Sequence, residues 1–150
     1  MTHLTVSDRP VANFDVPWEE AFGYAQAVRA GDILYISGQV SHDAEGNLVA
    51  PAPLDPTGRP AEFSNMEEQM RTAYANAAAL LRRFGGSLRD VVEETLYVLD
   101  VDAAFQVAGA VRKQAYGSAR PRCASTLVGT TRLAFPELLV EISFTAVLRS

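Results

Sequence analysis

Residues 138–148 read Leu-Leu-Val-Glu-Ile-Ser-Phe-Thr-Ala-Val-Leu. Side chains of a strand point alternately to its two faces. One face of this stretch therefore carries Val140, Ile142, Phe144 and Ala146, an apolar set suited to a core. The other carries Glu141, Ser143 and Thr145 among Leu139 and Val147. A carboxylate in such a strand is costly to bury without partners. Glu141 must face solvent, sit in an ion pair, or line a cleft where its charge is used. The rest of the chain is read outward from that choice.

Upstream, residues 91–99 are rich in β-branched and aromatic side chains and predict a strand, and residues 123–128 are read as another. Between them Asp102 is the expected cap of a helix whose inward positions are Phe105, Ala108, Val111 and Ala115, with Gly117 past its end. An earlier helix is predicted from Ser64 and Glu67, a capping-box spacing. Its apolar stripe is Phe63, Met66, Met70, Tyr74, Ala77, Leu81 and Phe84, ended by Gly85-Gly86. Residues 42–61 hold four prolines and two glycines and are expected to be one long loop. Residues 22–29 and 33–36 predict a hairpin turning at Ala30-Gly31-Asp32. At Ser37-Gly38-Gln39 the glycine signals a bulge or a close approach of backbone to another group. Residues 1 to about 20, punctuated by Pro10 and Pro17, fit an edge strand or an extended arm. The order β-β-α-β-α-β-β predicts one α+β two-layer domain over residues 1–150, with a mixed sheet of five or six strands and two helices on one face.

The totals limit the function. A hydrophobic fraction of 48% and a charged fraction of 21% fit a soluble globular chain, and 150 residues suffice for a core. A net charge of -5 argues against a broad nucleic-acid footprint. The single cysteine, Cys123, excludes an internal disulfide and fits a reducing compartment. There is neither a signal-peptide pattern nor an apolar run of roughly 18 residues, so no membrane partner and a cytoplasmic location are expected. Two histidines and one cysteine give no zinc spacing, Ser41-His42-Asp43 is a loop tripeptide rather than a triad, and no phosphate loop follows a strand.

Several short matches occur together. Tyr24 stands ahead of a Gly-Asp turn. Ile-Ser-Gly-Gln spans 36–39, and Glu-Gln-Met-Arg-Thr precedes Asn76 in the first helix. Val-Val-Glu-Glu-Thr-Leu-Tyr-Val spans 91–98, and Val140-Glu141-Ile142 follows near the end. In this order and spacing, from Phe22 to Leu148, the chain resembles the RidA/YjgF family. The resemblance implies a chorismate-mutase-like fold and a homotrimer with clefts between subunits. It also implies hydrolysis of reactive enamines or imines to ketones and ammonia, with no cofactor. By the same resemblance Glu141 positions the attacking water, Tyr24 completes the cleft and Ser37-Gly38 supplies backbone groups. The family's carboxylate-binding arginine falls on Ser125 here. Gly109 stands where an asparagine is common. The chain thus resembles subgroups without that arginine. Arg122 lies an odd number of residues from Ser125, on the opposite face of a regular strand, and would need a bulge to substitute.

Hydrolysis of an imine needs a water aimed at an electrophilic carbon and a group to move its proton. One carboxylate shifted toward neutrality suffices. Glu141 fits that role or that of a structural ion pair, and Tyr24 a hydrogen-bond donor or an interface aromatic. Ser125 can bond a neutral group but cannot replace a bidentate guanidinium. Arg122 and Arg120 are acid-binding candidates or solvated charges. Cys123 reads as a small inert thiol. The expected partner is a small-molecule metabolite. The competing functions are a trimer that binds a ligand without chemistry and a stress-related holdase.

Overall fold

The computed structural model describes residues 8–149. The elements run β1 (Val11–Ala12), α1 (Pro17–Phe22), β2 (Ala27–Ala30), β3 (Ile33–Gln39), α2 (Met66–Arg83), a 3₁₀ turn (Leu88–Asp90), β4 (Val91–Val98), α3 (Val101–Tyr116), β5 (Ala124–Gly129) and β6 (Val140–Val147). They form one six-stranded sheet of order β1-β2-β3-β6-β4-β5. The last strand is thus an inner one, antiparallel to β3 on one side and to β4 on the other. β4 and β5 are parallel, so the sheet is mixed. Their crossover is α3, as a parallel pair requires a long connection.

The alternation in β6 is realised: Val140, Ile142, Phe144 and Ala146 are all buried. They face α2 and α3. The Tyr74 ring of α2 stands edge-on to Phe144 at 5.7 Å, and Tyr116 of α3 stands edge-on to Tyr74 at 5.8 Å. Met66, Met70, Tyr74, Ala77 and Leu81 bury the predicted stripe of α2. Burying each large apolar side chain contributes roughly 1.5–3 kcal/mol, which is what holds an 18-residue helix on the sheet. Two polar side chains of α2, Gln69 buried and Asn76 half-buried, fasten neighbouring loop backbone. Gln69 donates to the carbonyls of Ala50 and Glu137, and Asn76 to those of Val40 and His42.

Four local expectations change. The strand expected over 22–29 is shorter: Phe22 ends α1, Gly23 adopts a left-handed φ of 76°, and pairing begins at Ala27. A third, short helix therefore joins the two expected. Its start carries Pro17 and an acidic first turn, features that favour a helix N-terminus. Ser64 does not cap α2. Asn65 holds the cap position without a side-chain bond, and the Ser64 hydroxyl donates to Glu62 at 2.9 Å. Asp100, not Asp102, caps α3, accepting from the Ala103 N–H at 2.8 Å. Phe105 is 76% exposed while Ala104 is buried. The stripe Ala104, Ala108, Val111 and Ala115 keeps the 4-3-4 spacing of one face, and Phe105 lies one residue off it.

The hairpin forms as expected, with Gly31 at φ 63° in its turn. Of the first twenty residues, 1–7 lie outside the described region; β1 is an edge strand paired with β2. Among the described residues no helix is long and apolar enough to cross a membrane.

Candidate functional site

Glu141 pairs with Tyr97 of β4 and lies on the sheet face turned away from α2 and α3. Its neighbour β3 loses register between Ile36 and Gln39, so Ser37 and Gly38 form an irregular, bulged step beside it. Gly38 is required there by contact rather than by torsion. A Cβ at this position would stand 2.6–2.8 Å from the Glu141 side chain. Ser37 fixes the bulge to the preceding strand: its hydroxyl donates to the Ala25 carbonyl and its N–H to the Gln26 carbonyl, each at 2.8 Å.

Tyr24, Ser37, Gly38 and Glu141 line one cavity of about 330 Å³. Trp18 and Phe22 of α1 and Phe135 of the β5–β6 connection give it an aromatic wall. Trp18 stands edge-on to Phe135 and to His42, at 5.4 and 5.2 Å. α1 is held over this wall by Glu19, whose carboxylate accepts from the Phe14 and Asp15 N–H groups. Burial pushes the Glu141 carboxyl above its ordinary value of 4.5. Burial, then the charge of Glu19, pushes the Tyr24 phenol up as well, partly offset by hydrogen bonds from Trp18 and Gln26. Tyr24 accepts from Gln26 Nε2 at 3.2 Å and keeps its own proton to donate. A desolvated base, a phenol donor and an apolar wall can orient a water and receive its proton.

Ser125 and Arg122 are not in this cavity. Ser125 pairs with Glu94, which pairs with Phe144, so its side chain lies on the helix-covered face. Its hydroxyl donates to Glu94 at 2.9 Å. Glu94 is fully buried and also accepts from Tyr74, Tyr116 and Arg112. Both phenols are pushed up by burial and then by the Glu94 charge. Burial pulls Arg112 down, but Glu94 more than offsets it and the net shift is upward. Sequence reading missed this cluster. Its only signal was a Glu-Glu pair in a strand, one of which must point inward. Arg122 instead lines a separate hollow with Arg89 and Arg120, floored by Leu88, Val91 and Tyr116. Burial pushes the Cys123 thiol up, against activation. The wall also escaped sequence reading: Trp18 and Phe22 lie in a six-residue helix shorter than any periodicity window, with Phe22 read instead as the start of a strand, and Phe135 lies in a connection without periodicity.

The family model described as endoribonuclease L-PSP matches residues 18–148. A RutC family protein of Pyrococcus horikoshii is 30% identical over 79% of this chain and 82% of its own. The RutC family protein YjgH of Escherichia coli is 31% identical over 74% and 73%. Among solved structures, the YjgF-family protein Rv2704 of Mycobacterium tuberculosis matches with TM-score 0.72 and 28% identity, over 93% of this chain and 99% of that one. The solved YjgH structure also gives 0.72, at 25% identity over 95% and 98%. The chain belongs to the YjgF/RidA family, which the endoribonuclease L-PSP model describes.

Proposed function

We propose that this protein is a hydrolytic deaminase of small reactive enamines or imines, working as a cytoplasmic homotrimer of the subgroup without the family's arginine. The observation that carries it is Glu141: a carboxylate held above its ordinary range by burial, on the wall of an apolar cavity beside a phenol donor. An enamine first tautomerises to its imine. Glu141 then takes a proton from water as the oxygen bonds to the imine carbon, and the π electrons move to nitrogen, which gains a proton. Glu141 returns that proton, giving a carbinolamine; it then accepts the hydroxyl proton and passes it to the nitrogen as the C–N bond breaks, so that a ketone and ammonia depart and the carboxylate is restored. Tyr24 donates a hydrogen bond to the water or to the nitrogen. No metal or covalent nucleophile is called for.

The trimer reading is supported by the sheet face that carries Glu141. Tyr35, Ile33, Val147 and Val128 lie on it, all substantially exposed in one chain. Such an apolar face is the kind that subunits cover. The net charge of -5 speaks against an extended RNA partner. The test is ammonia release from freshly generated 2-aminoacrylate and from uncharged enamines, with the wild type and with Glu141→Gln. Loss of turnover with the oligomer intact supports the reading; turnover unaffected by the substitution would overturn it.

A further inference from the structure

Two buried amides stand in line behind Tyr24. Gln26 immediately precedes β2 and Gln39 ends β3, at 2% and 1% exposure. Gln39 Nε2 donates to Gln26 Oε1 and to the Ser37 carbonyl, each at 2.9 Å. Gln26 Nε2 in turn donates to the Tyr24 oxygen at 3.2 Å. The sense of this chain is forced from its inner end. Both protons of the Gln39 amide meet carbonyl oxygens, which can only accept, and turning that amide over would set its oxygen against two others. Gln26 must therefore present its oxygen to Gln39 and its N–H to the phenol. A phenol oxygen that accepts there has its own proton left for the cavity. Trp18 acts on the phenol in the same sense, since an indole N–H can only donate.

A merely structural pair of amides is expected to be satisfied, and this one is not. Gln39 Oε1 is buried without a hydrogen-bond partner among the described residues. A bare buried acceptor destabilises the fold, and an apolar side chain of similar shape would avoid it. What the pair supplies instead is a fixed direction for the Tyr24 proton. These bonds lie inside one chain and stand whatever a neighbouring subunit adds to the cavity.

That direction matters for the hydrolysis proposed above. The attacking water needs a lone pair for the imine carbon and gives its proton to Glu141. A phenol donating to that water would compete for the lone pair. A phenol donating to the imine nitrogen instead binds more strongly as the π electrons arrive there, which favours the transition state over the bound substrate.

We propose that Gln26 and Gln39 are positioning residues: through their hydrogen bonds they make Tyr24 a one-way donor, reserved for the substrate nitrogen rather than for the water. The assignment to the nitrogen rests on the deaminase reading; the one-way donor does not.

The test uses the native oligomer with Gln26→Met, Gln39→Met and Tyr24→Phe, methionine keeping the unbranched shape of glutamine without its donors. Ammonia release from freshly generated uncharged enamines gives kcat and KM. Tyr24→Phe is expected to lower kcat about tenfold with KM little changed, as for a bond made in the transition state. Each methionine variant is expected to lower kcat about threefold, and to add no further loss on top of Tyr24→Phe. Independently of turnover, the Tyr24 phenol is titrated through the NMR resonance of its Cζ carbon. It should ionise at higher pH in both methionine variants, because a donor to its oxygen favours the anion. Mere loosening of the core would admit water and move the titration down. A phenol that titrates unchanged or lower in both variants overturns the proposal, as do additive losses of kcat. Titration at higher pH with no ammonia from the wild type would sink the deaminase reading and keep the one-way donor. Glu141-dependent turnover with an unmoved phenol would do the opposite.

Discussion

Gly38 of β3 and Glu141 of β6 touch: a Cβ added to the glycine would lie 2.6 Å from Cδ and 2.8 Å from Oε2 of the glutamate. No real side chain tolerates that spacing, yet the atoms in the way are the far end of a flexible group. Gly38→Ala is therefore expected to swing the carboxylate aside rather than to break the sheet. Thermal stability should change little, whereas enamine turnover should fall by about a hundredfold, the usual scale for a 1 Å misplacement. Equal losses of stability and activity would contradict this account.

Glu141 also sets opposite pH trends for stability and for activity. Its folded pKa lies above the ordinary 4.5 because of burial. Between 4.5 and the raised value, the folded chain holds more proton than the unfolded one, so stability falls as pH rises through that window. Turnover needs the ionised form and should climb over the same window. Glu141→Gln is expected to flatten the stability trend, raise the melting temperature at neutral pH, and cut turnover by about 10²–10⁴-fold. Melting curves and initial rates across pH check both.

The Glu94 cluster predicts a large structural effect away from the cavity. Glu94 is fully buried and accepts from Arg112, Tyr74, Tyr116 and Ser125. Arg112→Met leaves a buried charge without its cation and should cost about 3–5 kcal/mol in chemical denaturation. Glu94→Leu combined with Arg112→Met should recover much of that loss. A double variant less stable than the single one would show the cluster to be more than a neutralised pair. Ser125→Ala removes one hydrogen bond and should cost about 1 kcal/mol.

Helix caps give a contrast that depends only on where the helices start. Asp100→Ala is expected to cost about 1 kcal/mol, since its carboxylate accepts from Ala103 N–H. Ser64→Ala should fall within about 0.5 kcal/mol of the wild type, because Ser64 bonds Glu62 and not the helix. Denaturant midpoints for the two variants decide it.

The exposed sheet face predicts the assembly. Tyr35 and Val147 lie on the Glu141 side of the sheet and are 50% and 44% exposed in one chain. Tyr35→Glu with Val147→Asp places charges in what should be a covered seam and is expected to yield a folded monomer in sedimentation experiments. A wild type that sediments as a monomer would refute the trimer.

Much of this molecule was legible in order of residues alone. The alternation of Val140, Ile142, Phe144 and Ala146 determined which face of β6 is core, because strand geometry leaves two faces and one must be apolar. The spacing of Met66, Met70, Tyr74, Ala77 and Leu81 determined α2 for the same kind of reason. The glycine of Ile-Ser-Gly-Gln announced a close approach, and it is the Glu141 carboxyl that approaches. Only the tertiary structure decided what meets across the sheet. Ser125 turned out to face Glu94 and the helices, since pairing with β4 fixes its side and no local pattern encodes that register. Trp18 and Phe135, over a hundred residues apart, came together at 5.4 Å through packing. Periodicity is a property of neighbours along the chain, whereas a cavity wall is assembled by neighbours in space.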